Sequence, residues 1–236
     1  ALHFGLIYSV FATRSLKPLN TTVVKYYFAS IVVLSVITAF SLVGEGGYDS
    51  WGKAAMDASF NIVSYMSTTG FANCDNSTWP WVASAVLMFV SFHCGCSGST
   101  TGGIKIDRLI ISFKAIANEV KRRLHPSSLS LVKLSGHHLA DSTISGVMMY
   151  IVVYMLVIFI SIIAVMMCGT DPLDAVSGVI ASVGSVGPGV GEIGSLDNYS
   201  SQLPLAKIIY SFDMFLGRLE IYPVLIVISL LFKRNR

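Results

Sequence analysis

The chain has 236 residues, 53% of them hydrophobic and only 12% charged, with a formal net charge of +3 and a mean hydropathy of +0.69. Soluble domains usually carry about 25% charged residues, and here too little polar surface remains to cover the apolar blocks. The composition excludes an ordinary soluble enzyme or binding module and implies an integral membrane protein.

Ala1–Phe11 is apolar but too short to span, and it runs into polar Thr13–Thr22 with no basic-then-apolar signal pattern or cleavage site. We read residues 1–21 as the end of a preceding repeat and a linker, which would make the chain a piece of a longer one. Thr22–Val43 is the first spanning block, with Lys25 near its start. About 20 apolar residues, each rising 1.5 Å, cross a hydrocarbon core of about 30 Å. Trp51–Met66 has Ala54, Ala55, Ala58, Ile62 and Val63 at helical spacing. A helix of that length reaches only about 24 Å, and Ser67-Thr68-Thr69-Gly70-Phe71 after it are poor helix formers. A short helix and a Gly-containing turn between spanning helices suggest a re-entrant pore loop.

An uncharged run follows from Asn76 to Ile104, interrupted by Gly95, Gly98, Gly102 and Gly103 with Ser97, Ser99, Thr100 and Thr101 among them. A loop inside the membrane is expected there; the plainer alternative is a close, glycine-lined helix crossing. Lys105, Arg108, Lys114, Lys121, Arg122, Arg123 and Lys133 then face only Asp107 and Glu119. Ser142–Thr170 is uncharged and holds the spanning block Ile144–Cys168. Asp174-Ala175 leads a short apolar stretch into Ser185-Val186-Gly187-Pro188-Gly189, and Leu205–Phe232 is the last apolar run, carrying Arg218.

The second half repeats the first. Asp57-Ala58 precedes Gly70 by 13 residues, as Asp174-Ala175 precedes Gly187; Thr101 follows Gly70 by 31 residues, as Arg218 follows Gly187. The expected fold is all-α and membrane-embedded: two membrane–pore-loop–membrane repeats, residues 22–118 and 141–236, joined by a basic loop at 119–140. Arg14, Lys17 and Lys25, the middle loop, and Lys233, Arg234 and Arg236 contrast with acidic Gly44–Pro80 and with Cys168–Pro204, which has no Lys or Arg. The positive-inside rule puts the basic segments in the cytoplasm and the acidic ones outside. Topology accounts for these charges without nucleic acid.

Non-helical backbone is tolerated at membrane depth where protein buries it or it lines a watery cavity. A short helix aiming its C-terminus inward favours cations, and extended residues after it can replace an ion's hydration shell with carbonyls. The filter candidates are therefore Thr68, Thr69 and Gly70 with Ser185, Val186 and Gly187. The alternative is an external loop with ordinary turn glycines. Gly95, Gly98, Ser99, Thr100, Thr101, Gly102 and Gly103 are candidates for a gate below the filter, with Arg218 facing them. A competing reading pairs Arg218 with Asp213 or Glu220. Cys74, Cys94, Cys96 and Cys168 lack zinc-type spacing and are read as packing residues; His137 and His138 are read as interfacial. No nucleophile–base pair, phosphate loop or dinucleotide fingerprint stands out, so neither enzymatic activity nor a resident cofactor is expected.

The order of motifs makes the resemblance specific. Ser67-Thr68-Thr69-Gly70-Phe71 is similar to the third filter of the Trk/Ktr/HKT potassium-transport superfamily. Phe92–Lys105, ending Gly98-Ser99-Thr100-Thr101-Gly102-Gly103-Ile104-Lys105, resembles its interrupted helix. Gly187-Pro188-Gly189-Val190-Gly191 resembles the fourth filter, and Leu216-Gly217-Arg218-Leu219-Glu220 the last helix. The resemblance, to the TrkH/KtrB branch, implies the third and fourth repeats of a four-repeat pore in the bacterial inner membrane, with K⁺ as the transported ion. Implied partners are membrane lipid, the other two repeats of the polypeptide, a second copy in a homodimer, and a cytoplasmic nucleotide-binding ring resembling TrkA/KtrA. Ser185 stands where the family often has asparagine, and Cys94 where glycine is common. Two other function classes remain open at this point. A cation-coupled secondary transporter would use an intramembrane carboxylate such as Asp213 or Glu220, and a non-conducting scaffold would bind a regulator through Lys114–Lys133.

Overall fold

The computed structural model describes residues 1–45, 47–125 and 132–233. Helices α1 (Phe4–Thr13), α2 (Thr22–Gly44), α3 (Trp51–Met66) and α4 (Trp81–Phe92) come first, then α5 (Ile106–Leu124). Strands β1 (Lys133–Leu134) and β2 (His137–His138) precede α6 (Asp141–Met167), α7 (Pro172–Val183), α8 (Pro204–Leu219) and α9 (Ile221–Lys233). The protein is mostly helical, and the order long helix, short helix, non-helical segment, helix occurs twice.

Local chemistry explains the boundaries. The Thr21 hydroxyl accepts from Val24 N at 3.3 Å and starts α2, and Asp171 accepts from Leu173 N at 3.1 Å with Pro172 in the first turn of α7. Such caps each contribute about 1 kcal/mol. α2 and α6 are long and apolar enough to cross a membrane. Their outward faces present Val32, Val36 and Phe40, and Val152, Leu156, Phe159 and Ile163, all exposed. Water would penalise those faces, whereas lipid does not.

The helices build two cores. Leu42, Ile62, Leu87 and Val90 centre the first, on α2, α3 and α4, and Tyr154, Val165, Val179 and Tyr210 the second, on α6, α7 and α8. The halves are interleaved: Val186 from the second half is buried in the first core, and Ile104 from the first half is buried in the second.

One expectation is corrected. Leu205–Phe232 is not one helix: α8 ends at Leu219, Glu220 takes φ 61° and ψ 145°, and α9 restarts at Ile221. A helix continued through this point would set the Pro223 ring against the Leu219 carbonyl, costing about 3 kcal/mol. Restarting at Ile221 leaves Pro223 in a first turn, where no N–H is needed. The mostly helical architecture agrees with the all-α expectation; the small antiparallel hairpin β1–β2, whose turn uses Ser135 at φ 48° and Gly136 at φ 89°, is a local addition. α5 runs on through Asn118 to Leu124, so the basic segment expected at 119–140 begins within this helix. Residues 126–131 of the basic loop, with Arg234 and Arg236, lie outside the described residues.

Candidate functional site

α3 and α7 end in the same way. Thr68 N and Ser185 N each donate three residues back, to Tyr65 O at 3.0 Å and Ser182 O at 2.9 Å. Thr69 N and Val186 N each donate five residues back, to Ser64 O and Ala181 O, both at 2.9 Å. Thr68 and Ser185 adopt left-handed φ values of 53° and 55°, and two residues on Gly70 and Gly187 again have positive φ, 72° and 109°. The pairs of positive φ bend both segments alike. Among the described residues, the carbonyls of Thr68, Thr69, Gly70, Ser185 and Val186 accept no hydrogen bond. Gly187 differs: its carbonyl accepts from the Tyr199 hydroxyl at 2.9 Å.

The two segments meet. A Cβ on Gly70 would lie 2.5 Å from the Val186 carbonyl oxygen and 3.3 Å from Pro188 Cδ. The buried aspartates singled out by their spacing brace the returning chain behind each segment. Asp57 accepts from Asn73 Nδ2 at 2.8 Å and from the Tyr48 hydroxyl at 3.0 Å. Asp174 accepts from Glu192 N at 3.2 Å.

Cys94–Lys105 is non-helical, closed at its neck by a parallel bridge between His93 and Ile104. It packs directly against the second segment: a Cβ on Gly102 would fall 2.5 Å from Gly184 O and 2.7 Å from Ser185 Cβ. Gly98 and Gly103 turn at φ 77° and 61°, and Gly95 packs beside the Thr101 hydroxyl. Thr101 Oγ1 shares a hydrogen bond with Ser99 Oγ at 2.8 Å, and Lys105 Nζ donates to the Thr101 carbonyl and hydroxyl. Arg218, exposed on α8, donates through Nη1 to the Thr100 carbonyl. The competing pairs for Arg218 are absent among the described residues. Asp213 accepts from the Ser161 hydroxyl at 2.7 Å, and Glu220 pairs with Arg108 at 2.6 Å.

Comparison with known proteins decides the family. The family model for TrkH, a cation transport protein, matches residues 48–235. The chain belongs to the TrkH family. Trk system potassium uptake protein TrkH of Salmonella typhimurium is 32% identical over 234 residues, covering 99% of this chain and 48% of that protein. Trk system potassium uptake protein TrkG of Escherichia coli is also 32% identical, over 100% of this chain and 48% of its own length. The crystal structure of the potassium transporter TrkH from Vibrio parahaemolyticus superposes with a TM-score of 0.87 at 30% identity, covering 95% of this chain and 48% of that one. The chain spans about half the length of the relatives it matches. It is a membrane protein, as its composition requires.

Two features of this TrkH-family chain were invisible in its sequence. Asn76, fully buried, ties the two halves together behind the facing segments. Its Nδ2 donates to the Tyr65 hydroxyl at 2.7 Å, its Oδ1 accepts from Ser195 N at 2.9 Å, and its N donates to Ser195 Oγ at 3.1 Å. Tyr65 in turn donates to Gly189 O at 3.4 Å. Asn76→Ala would remove the side-chain bonds to the buried Tyr65 hydroxyl and the partly buried Ser195 N–H while keeping its own N–H on Ser195 Oγ; each polar group left unpaired costs about 1–3 kcal/mol. A melting temperature lower by several degrees is expected in detergent-solubilised full-length protein. The second feature is Arg108, which pairs with Glu220 at the break between α8 and α9 and lies 3.9 Å above the Tyr150 ring centroid. It fastens α5, the helix leaving the loop, to that break. Neither partner has a local sequence signal, because the pairs are 119 and 112 residues apart.

Proposed function

We propose that this chain forms half of a K⁺-conducting uptake pore in the bacterial inner membrane. Carbonyls of Thr68, Thr69, Gly70, Ser185, Val186 and Gly187 serve as its share of the selectivity filter, with residues 22–118 and 141–236 as pore-loop repeats. The observation that carries this reading is the matched backbone of the two segments, set face to face at Gly70 and Val186. Ordinary turn glycines would not require the same hydrogen bonds, the same left-handed residues and mutual contact. Among the described residues the carbonyls of five of the six accept no hydrogen bond and are left for an ion; Gly187 shares its oxygen with Tyr199.

The loop Gly95–Gly103 with Arg218 acts as the gate under this filter. Arg218 places a fixed positive charge against the loop through the Thr100 carbonyl, and a cation passing there is repelled. The remaining half of the polypeptide supplies the other two filter segments. A second copy and a cytoplasmic nucleotide-binding ring resembling TrkA/KtrA are the expected partners, the ring acting on α5 beyond Lys105. The relatives named as potassium uptake proteins support the choice of ion.

A coupled carrier is the second reading, favoured by one observation: Asp213, only 1% exposed in α8, meets Ser161 but no cation among the described residues. Unitary currents from the full-length protein in planar bilayers support the pore; smooth, proton-dependent flux without them supports the carrier.

Orientation is tested separately. Cysteines at Asp49 and Asn198, in a background without native cysteines, are expected to react with an impermeant thiol reagent from outside. A cysteine at Lys121 is expected to react only after the membrane is opened. The more central position Ser127 lies outside the described residues. Labelling of Lys121→Cys in sealed cells reverses the topology.

A further inference from the structure

The geometry points to an anionic glycerophospholipid site on the outer side of the first helix group, occupied from the cytoplasmic leaflet. A groove of about 370 Å³ opens between α2, α4 and α5, lined by Tyr26, Val33, Phe89, Leu109, Phe113 and Lys114. Its walls are almost wholly apolar, and Lys114 supplies a cationic group within the lining. Tyr26 and Val33 come from the first half of α2, the end next to the basic linker. Lys114 belongs to the part of α5 that leads into the basic segment.

Shape and charge name the occupant. An apolar channel in a membrane protein accommodates a hydrocarbon chain, and an ammonium in its lining selects the headgroup by sign. Among the described residues Lys114 Nζ donates once, to the Lys133 carbonyl at 2.8 Å. An ammonium has three N–H groups, so two remain for phosphate oxygens. The surface beyond the groove continues the same chemistry. Phe113, Ile116, Val120 and Leu124 form an exposed apolar stripe on α5, with Arg123 at its border and Lys121 and Arg122 off it; Glu119 pairs with Arg122 and Arg123, leaving the segment net basic. A basic amphipathic helix of this kind lies at a lipid interface and prefers anionic headgroups. Held there, the lipid would rest on the helix that leaves the glycine-rich loop and carries Arg108, so its binding would steady α5.

The test uses the full-length protein with Phe113 replaced by the photoreactive p-benzoylphenylalanine. The protein is reconstituted in vesicles of equal parts phosphatidylglycerol and phosphatidylcholine, irradiated, and weighed intact. Phosphatidylglycerol adducts are expected to exceed phosphatidylcholine adducts by about fivefold, the selectivity of one basic residue for anionic lipid. Adding Lys114→Gln is expected to bring the ratio to parity, and Lys114→Arg to preserve it. Equal adducts without Lys114→Gln would remove the anionic site. A protein adduct, or none with lipid, would show instead that a second copy or the remaining half of the polypeptide covers the groove.

Discussion

Gly70→Ser in the full-length protein is expected to lower K⁺ uptake by about tenfold or more while leaving insertion into the membrane intact. Two costs combine at this residue. Its φ of 72° disfavours any residue with a Cβ, a strain of about 1–3 kcal/mol. The added carbon would also fall 2.5 Å from the Val186 carbonyl oxygen, so one segment must push the other aside. About 1.4 kcal/mol of misplacement at the barrier already changes a rate tenfold. Gly187→Ser separates the two costs, because φ is 109° there but nothing lies within 4 Å of the added Cβ. It is expected to keep more flux than Gly70→Ser and to change ion preference instead. Rubidium uptake by cells lacking other K⁺ systems, normalised to membrane expression, measures both. Wild-type uptake in both variants would remove these residues from the filter.

Arg218→Ala is expected to raise basal K⁺ flux about tenfold in the absence of any regulator. At an effective dielectric near 20, a unit charge about 4 Å from another interacts at about 4 kcal/mol, and water in an open vestibule reduces this several-fold. What remains still alters a permeation rate by an order of magnitude. A merely structural arginine gives the opposite sign, since losing its bond to the Thr100 carbonyl would loosen the helix and lower flux. Deleting part of Gly98–Gly102 is expected to act in the same direction as Arg218→Ala. Equal or lower basal flux in correctly inserted protein rejects the gate.

Much of this arrangement was legible because membrane folds write their constraints locally. Trp51–Met66 ends where Ser67, Thr68, Thr69 and Gly70 disfavour helix, and the structure ends α3 at the same residue. The glycines from Gly95 to Gly103 announced the break after α4 for the same reason, and the common spacing from Gly70 and Gly187 placed Thr101 and Arg218 at one level. Arg218 in fact reaches Thr100, one residue away. The break at Glu220 was missed because apolar composition continues through it; Pro223 was the signal available. The Asn76–Ser195 and Arg108–Glu220 contacts were beyond reach. They join residues far apart in the chain, and only the interleaving of the two cores brings them together.

Reversal potentials of the full-length protein under opposed K⁺ and Na⁺ gradients test most directly whether the two segments line one pore. The expected result is a current whose reversal follows the ion gradients, with a reversal potential that shifts in Gly187→Ser relative to wild type. A flux with no gradient-dependent reversal, or the same reversal potential in both proteins, would contradict a filter built from Thr68–Gly70 and Ser185–Gly187.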